Sequence, residues 1–194
     1  MSKDDGDTFK KIGKGPILSY SPDEPFILSG PKVRKYHNTW YLWYIAGRKW
    51  KVADGKPEPI YKIRMASSPD GINWTKLNKD IISDRLGVDE AQASPDVIFS
   101  HGRYHMFFSY RQASDFRRNK DRSYRIGYAF SDDLFNWTRD DSRIGIDVSE
   151  EGWDSEMVAY PNILELDGVV YLLYLGNQVG RYGFGAARLN GVLD

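Results

Sequence analysis

The stretch Asp154-Ser155-Glu156-Met157-Val158-Ala159-Tyr160-Pro161-Asn162-Ile163-Leu164 decides the fold, because the chain has a second version of it upstream, Asp89-Glu90-Ala91-Gln92-Ala93-Ser94-Pro95-Asp96-Val97-Ile98. In both, a glutamate stands five residues before a proline, and the proline opens an apolar strand; Glu90 and Glu156 are 66 residues apart. A looser third version, Asp23-Glu24-Pro25-Phe26-Ile27-Leu28-Ser29-Gly30-Pro31-Lys32-Val33, has a gap of seven. Recurrence at a fixed period marks a repeat architecture, in which each copy is one supersecondary unit.

Strand-like runs recur around these anchors. Trp40–Tyr44, Tyr104–Phe108 and Val170–Tyr174 each follow a polar turn, at Tyr36-His37-Asn38, Ser100-His101-Gly102 and Leu166-Asp167-Gly168. A further strand follows in each copy, at Tyr61–Ala66, Tyr124–Ala129 and Tyr182–Ala187. Ser68-Pro69-Asp70-Gly71-Ile72-Asn73-Trp74-Thr75 returns as Ser131-Asp132-Asp133-Leu134-Phe135-Asn136-Trp137-Thr138, and residues 2–9 echo it. Ser and Asp side chains bond turn amides and Gly tolerates positive φ, so this phrase reads as a turn into a last strand. Asn73 and Asn136 head formal glycosylation sequons, but their shared turn position points to a structural, unmodified role. No segment carries a helical period.

The unit is therefore about four strands in each repeat, separated by short Gly/Asp/Asn turns. Repeated four-stranded antiparallel sheets make an all-β β-propeller, with the strands after Pro31, Pro95 and Pro161 innermost. We expect a single domain over residues 1–194, with repeats at about 19–82, 83–146 and 147–194 and residues 2–18 as a last-strand segment. Because propellers close with about four or more blades, the preferred reading is three blades of a five-bladed ring whose first part lies outside this chain. The alternative is ring closure, with residues 2–18 completing the last blade.

Composition narrows the function. Lys and Arg total 27 against 27 Asp and Glu, so no net field recruits nucleic acid or an anionic membrane. The basic segment Ala113–Arg122 has few aromatics and reads as a solvated excursion rather than a nucleic-acid patch. No cysteine is present, and His37, His101 and His105 lack metal-ligand spacing, so neither a metal nor another cofactor is expected. The opening residues lack the apolar core of a signal peptide, giving a cytoplasmic expectation for the chain as it stands. Thirteen Tyr and six Trp suit strands and also sugar-binding surfaces.

Acidic residues just ahead of each inner strand should gather at one mouth of the channel. Paired carboxylates there suit glycoside chemistry, in which one protonates the leaving oxygen and the other activates water or attacks the sugar carbon. Glu90, Glu156 and Glu24 are the catalytic candidates. Asp23, Asp89 and Asp154 are reserves that could bind substrate, together with Arg48, Trp50, Arg111 and Asn177 at the ends of the second strands. Trp50 could stack on a pyranose face and Arg111 could hold a hydroxyl or acidic group. The structural alternative has the acids capping strand entries and Trp50 packed.

At these residues the chain resembles the five-bladed propeller glycosidases, the arabinanase/levansucrase/invertase group of family-43 and family-32 glycoside hydrolases. The likeness rests on Ser68–Trp74, Ser131–Trp137, Ser94-Pro95-Asp96-Val97-Ile98 and Gly168-Val169-Val170-Tyr171-Leu172. It is nearest to uncharacterised bacterial members with the phrase Trp153-Asp154-Ser155-Glu156-Met157 before Tyr160-Pro161, followed by Leu173–Asn177. The resemblance implies a carbohydrate substrate and three acids from successive blades: a base or nucleophile, a stabilising Asp and a Glu acid. In those families the Glu stands two residues before the inner-strand proline, where this chain has Ala93 and Ala159, and the first-blade acid falls outside this chain. The alternatives to a hydrolase are a non-catalytic carbohydrate-binding propeller and a scaffold self-associating through exposed blade edges.

Overall fold

The computed structural model describes residue 6 and residues 8–53, 55–87 and 89–194. The fold is all-β, built on three antiparallel sheets. The first comprises β1 (Phe26–Tyr36), β2 (Thr39–Ala53), β3 (Lys56–Ser68) and β4 (Thr75–Lys76), hydrogen-bonded in that order. The second repeats the plan with β5 (Ala91–Ser100), β6 (Arg103–Arg111), β7 (Arg125–Ser131) and β8 (Thr138–Arg139). The third stops at three strands, β9 (Ala159–Leu166), β10 (Val169–Leu175) and β11 (Phe184–Arg188). A third unit that ends on its third strand is the expected arrangement. Of the expected last-strand segment 2–18, residues 8–18 form no strand and residues 2–5 and 7 lie outside the described residues.

Local chemistry explains the repeat. The first hairpin of each sheet turns on two residues with positive φ: His37 and Asn38 (46° and 65°), His101 and Gly102 (48° and 81°), and Asp167 and Gly168 (51° and 74°). Two left-handed residues make the turn whose twist matches the flanking strands, and Asn, Asp and Gly occupy it at least cost. The Ser/Asp phrases are turns as expected. The Asp70 carboxylate accepts the amides of Ile72 and Asn73 at 2.8 Å, and the Asp133 carboxylate those of Phe135 and Asn136 at the same distance. The Asn73 and Asn136 side chains donate to these same carboxylates, which accounts for asparagine at both places.

The sheets pack face to face. Trp43, Ile63 and Met65 of the first sheet meet Val97, Met106 and Phe108 of the second; Phe107, Ile126 and Tyr128 of the second meet Val158 and Ile163 near the third. The first strands β1, β5 and β9 are neighbours, with β5 in the middle. Asp96, fully buried, ties all three: Arg34 of β1 donates to it at 2.6 Å and the Ile163 amide of β9 at 2.7 Å. The starts of the first strands, the ends of the second and the starts of the third therefore share one rim. Each first strand kinks there at a residue with positive φ, at Ile27 (56°), Ser94 (48°) and Tyr160 (55°), and each kink accompanies a slip in strand register. Among the described residues, no helix is long and apolar enough to cross a membrane.

Candidate active site

The rim holds a cavity of about 530 Å³ between the second and third sheets. Its walls include Phe116 and Tyr124 from the β6–β7 connection, Glu156 from the approach to β9, Tyr160 from β9 itself, and Val179 from the β10–β11 connection. Glu156 is exposed to solvent there, and among the described lining residues its carboxylate is the only one.

The local sequence fixes the backbone at Glu156. The side-chain oxygen of Asn177 accepts the amides of Glu156 (2.8 Å) and Met157 (3.2 Å), while its amide group donates to the Gly152 carbonyl at 3.0 Å. Three residues ahead of Glu156, Trp153 stacks on Tyr174 with ring centres 5.5 Å apart. The Trp153 ring lies so close to Gly176 that a Cβ at 176 would stand 2.4 Å from it, which explains glycine at that position. Beside this brace, Gln178 and Val179 have φ of 54° and 58°. Two consecutive left-handed residues, one of them β-branched, are strained, and such strain persists where the surroundings over-determine it.

Behind the cavity wall lies a network of hydroxyls. Tyr124 exchanges hydrogen bonds with Tyr61 (2.9 Å) and with Tyr160 (3.4 Å). Arg111, 2% exposed, donates to Tyr124 (3.1 Å), to Tyr61 (3.2 Å) and to the carbonyls of Gln112 and Pro59, with its guanidinium 3.7 Å from the centre of the Phe116 ring. Burial pushes the Tyr124 and Tyr160 phenols up, so both remain hydrogen-bond donors.

The expected pair of catalytic glutamates does not form. Glu90 is fully buried and lines no cavity with Glu156. Its carboxylate accepts Arg139 of β8 at 2.6 Å, the Gln92 side chain at 3.0 Å and the amides of Arg85 and Leu86 at 2.9 Å. Glu24 is also fully buried and joins β2, β3 and β4, accepting from Tyr44 (2.7 Å), Arg64 (2.9 Å) and Lys76. Burial alone would raise the Glu24 pKa, but Lys76, Tyr44 and Arg64 together hold it below the usual carboxylate range. Both glutamates thus fasten the loop entering a sheet to that sheet's outermost strand. At the third sheet the acid turned inward is Asp154 rather than Glu156, and it bonds to the middle strand. Asp154 is 5% exposed and accepts the Tyr174 hydroxyl at 3.0 Å, and Tyr174 has the place in β10 that Tyr44 has in β2. The equal spacing of Glu90 and Glu156 is therefore not an equivalence of role.

The expected binding residues divide similarly. Asp23 pairs with Arg64 at 2.8 Å, which with Ser21 brings its pKa to about 2, and Arg48 reaches Asp80 at 3.6 Å and the Asp23 carbonyl. Asp89 is held at about 2 by Lys49 and Lys51, each 2.6 Å away. Trp50 is half exposed and packs on Phe26, with ring centres 5.7 Å apart. None of Asp23, Arg48, Trp50 or Asp89 lines the cavity. Asn177 and Arg111 touch it only from behind, through Glu156 and through Tyr124 and Phe116. The sequence reading missed Phe116, Tyr124 and Tyr160; the thirteen-residue connection 112–124, taken for a solvated excursion, is the cavity wall. Among the described residues, no group of three or more His, Asp or Glu is placed to hold a metal ion.

Comparison with known proteins agrees with the architecture. No family model matches the chain. Over 184 residues it is 34% identical to the uncharacterized protein Rv1502 of Mycobacterium tuberculosis (strain ATCC 25618 / H37Rv), covering 95% of this chain and 58% of that protein. The chain thus spans little more than half the length of that curated relative. Among solved structures it is similar to Zg3597, a family 117 glycoside hydrolase of the marine bacterium Zobellia galactanivorans, with a TM-score of 0.68 at 18% identity over 88% of this chain and 54% of that one. It is also similar to a thermostable family-43 glycoside hydrolase, with a TM-score of 0.66 at 16% identity over 91% of this chain and 57% of that one. The fold is the one these glycoside hydrolases use.

Proposed function

We propose that this chain forms three units of a five-bladed propeller glycosidase and that Glu156 is its acid/base carboxylate. The observation that carries the reading is Glu156 itself: a solvent-facing carboxylate on a braced loop, in a cavity walled by Phe116, Tyr124 and Tyr160, within a fold shared with glycoside hydrolases. Aromatic faces stack on the apolar faces of sugar rings, and phenol groups donate to ring hydroxyls. Glu156 protonates the glycosidic oxygen as the bond to the anomeric carbon breaks; in a retaining route it then takes a proton from the incoming water, and in an inverting route the second carboxylate takes it. Asn177 acts as a positioning residue by holding the two amides at Glu156. Glycoside cleavage uses a second carboxylate, at about 5–5.5 Å for retention or about 6.5–9.5 Å for inversion. We assign that group to the part of the longer relatives that this chain does not span.

Glu156→Gln, made in a version of the protein that carries all five blades, tests the reading. Removing a general acid costs about 10²–10⁴-fold in turnover, and sugar affinity should persist because the stacking surfaces are untouched. Unchanged hydrolysis by this variant removes Glu156 from the chemistry; sugar binding without turnover in the unaltered protein with all five blades favours a non-catalytic lectin-like role instead.

A further inference from the structure

The cavity beside Glu156 has positive charge in excess of its acids. Arg117, Arg118 and Lys120 line it together with the single carboxylate of Glu156. Arg117 pairs with Glu58 and stacks 4.2 Å over the Phe116 ring, and Arg118 stands 3.6 Å from Asp115. Lys120 has no carboxylate partner among the described residues. Arg111 has none either: its guanidinium is buried among Tyr61, Tyr124 and Phe116 and bonded to hydroxyls and carbonyls, directly behind two cavity-lining rings. A cation enclosed by low-dielectric rings projects its field further than one in water. Lys120 at the surface and Arg111 beneath therefore act in the same direction on whatever fills the space between them.

We propose that the sugar bound beside Glu156 carries a negative charge, a carboxylate or a phosphate, seated against Lys120. The inference rests on the carbohydrate site proposed above and adds the substrate class to it. The division of labour is consistent: Tyr160, partly exposed in the wall, offers a ring and a hydroxyl, Lys120 offers its ammonium, and Glu156 faces the glycosidic oxygen.

The test uses monosaccharides, which bind without being cleaved, titrated into the unaltered chain and followed by NMR. Galacturonate is compared with galactose, glucose 6-phosphate with glucose, and inorganic phosphate is run alone. One or both charged sugars should bind about tenfold more tightly than the neutral partner, as for one charge-assisted hydrogen bond, and whichever does so identifies the anion as carboxylate or phosphate. The advantage should shrink at high ionic strength and vanish in Lys120→Ala, with neutral-sugar affinity unchanged. Equal binding of charged and neutral sugars overturns the anionic inference and leaves the carbohydrate site standing. Absence of all sugar binding overturns both. Inorganic phosphate that binds while neither charged sugar does makes this a free-anion site and overturns the sugar assignment.

Discussion

Glu90→Ala should destabilise the protein by about 3 kcal/mol without any direct effect at the cavity. The Glu90 carboxylate is fully buried and receives four donors: Arg139, Gln92 and the amides of Arg85 and Leu86. Breaking a buried, hydrogen-bonded ion pair costs about 3–5 kcal/mol because the surviving charge is left without its partner. The low end applies, since Arg139 keeps Asp141 at 2.9 Å and, of the residues bearing the two amides, Arg85 is exposed and Leu86 only partly buried. For a chain of this size, about 3 kcal/mol corresponds to a fall of roughly 6–12 °C in Tm. Thermal and urea unfolding followed by circular dichroism measure the change, and a double-mutant cycle with Arg139→Ala isolates the pair. Its coupling energy should exceed about 1.5 kcal/mol. A loss below about 1 kcal/mol in Glu90→Ala, or a coupling near zero, would falsify the view that this glutamate is a fastening.

Three further outcomes follow from the same geometry. Asp23, Asp89 and Asp133 are held at about 2, by Arg64 first, by Lys49 first and by the Asn136 amide first, and Glu24 is also lowered. Groups whose folded pKa is depressed stabilise fully above their unfolded values, 3.8 for Asp and 4.5 for Glu, and lose that contribution as pH falls toward about 2. The urea midpoint should decline steadily over that window; a flat or rising midpoint contradicts the assignment. Gly176→Ala places a Cβ 2.4 Å from the Trp153 ring and 2.5 Å from its carbonyl, and should cost about 1–3 kcal/mol as an overpacking change, with a changed near-UV circular dichroism from Trp153; an unshifted melt and spectrum refute it. Val179→Gly relieves a left-handed β-branched residue, φ 58°, and should raise stability by up to about 1 kcal/mol, so a lowered Tm contradicts the strain.

Much of the fold was legible because its causes are local. The doublets His37-Asn38, His101-Gly102 and Asp167-Gly168 carry their turn geometry in their own backbone preferences, and Asp70 and Asp133 organise amides two and three residues away. The candidate site was legible only in part because its causes are distant. Glu90 is turned inward by Arg139, 49 residues on, while Glu156 is left outward because Asp154 has taken the hydroxyl of Tyr174. Spacing along the chain carries no record of which acid finds an internal partner. The basic run 113–122 was misread for the same reason, since polar composition alone does not distinguish a loop facing bulk water from one facing a cavity.

The passage from second to third strand differs in every sheet: β2 runs into β3 across residues 54–55, β6 into β7 across 112–124 and β10 into β11 across 176–183. These ends lie on one rim, and each is anchored by strands whose pairing does not depend on what joins them. The scaffold therefore works as a socket with interchangeable fittings. Grafting a different segment between Arg111 and Arg125 should re-aim the molecule toward another ligand while leaving the sheets, their turns and the glutamate fastenings in place.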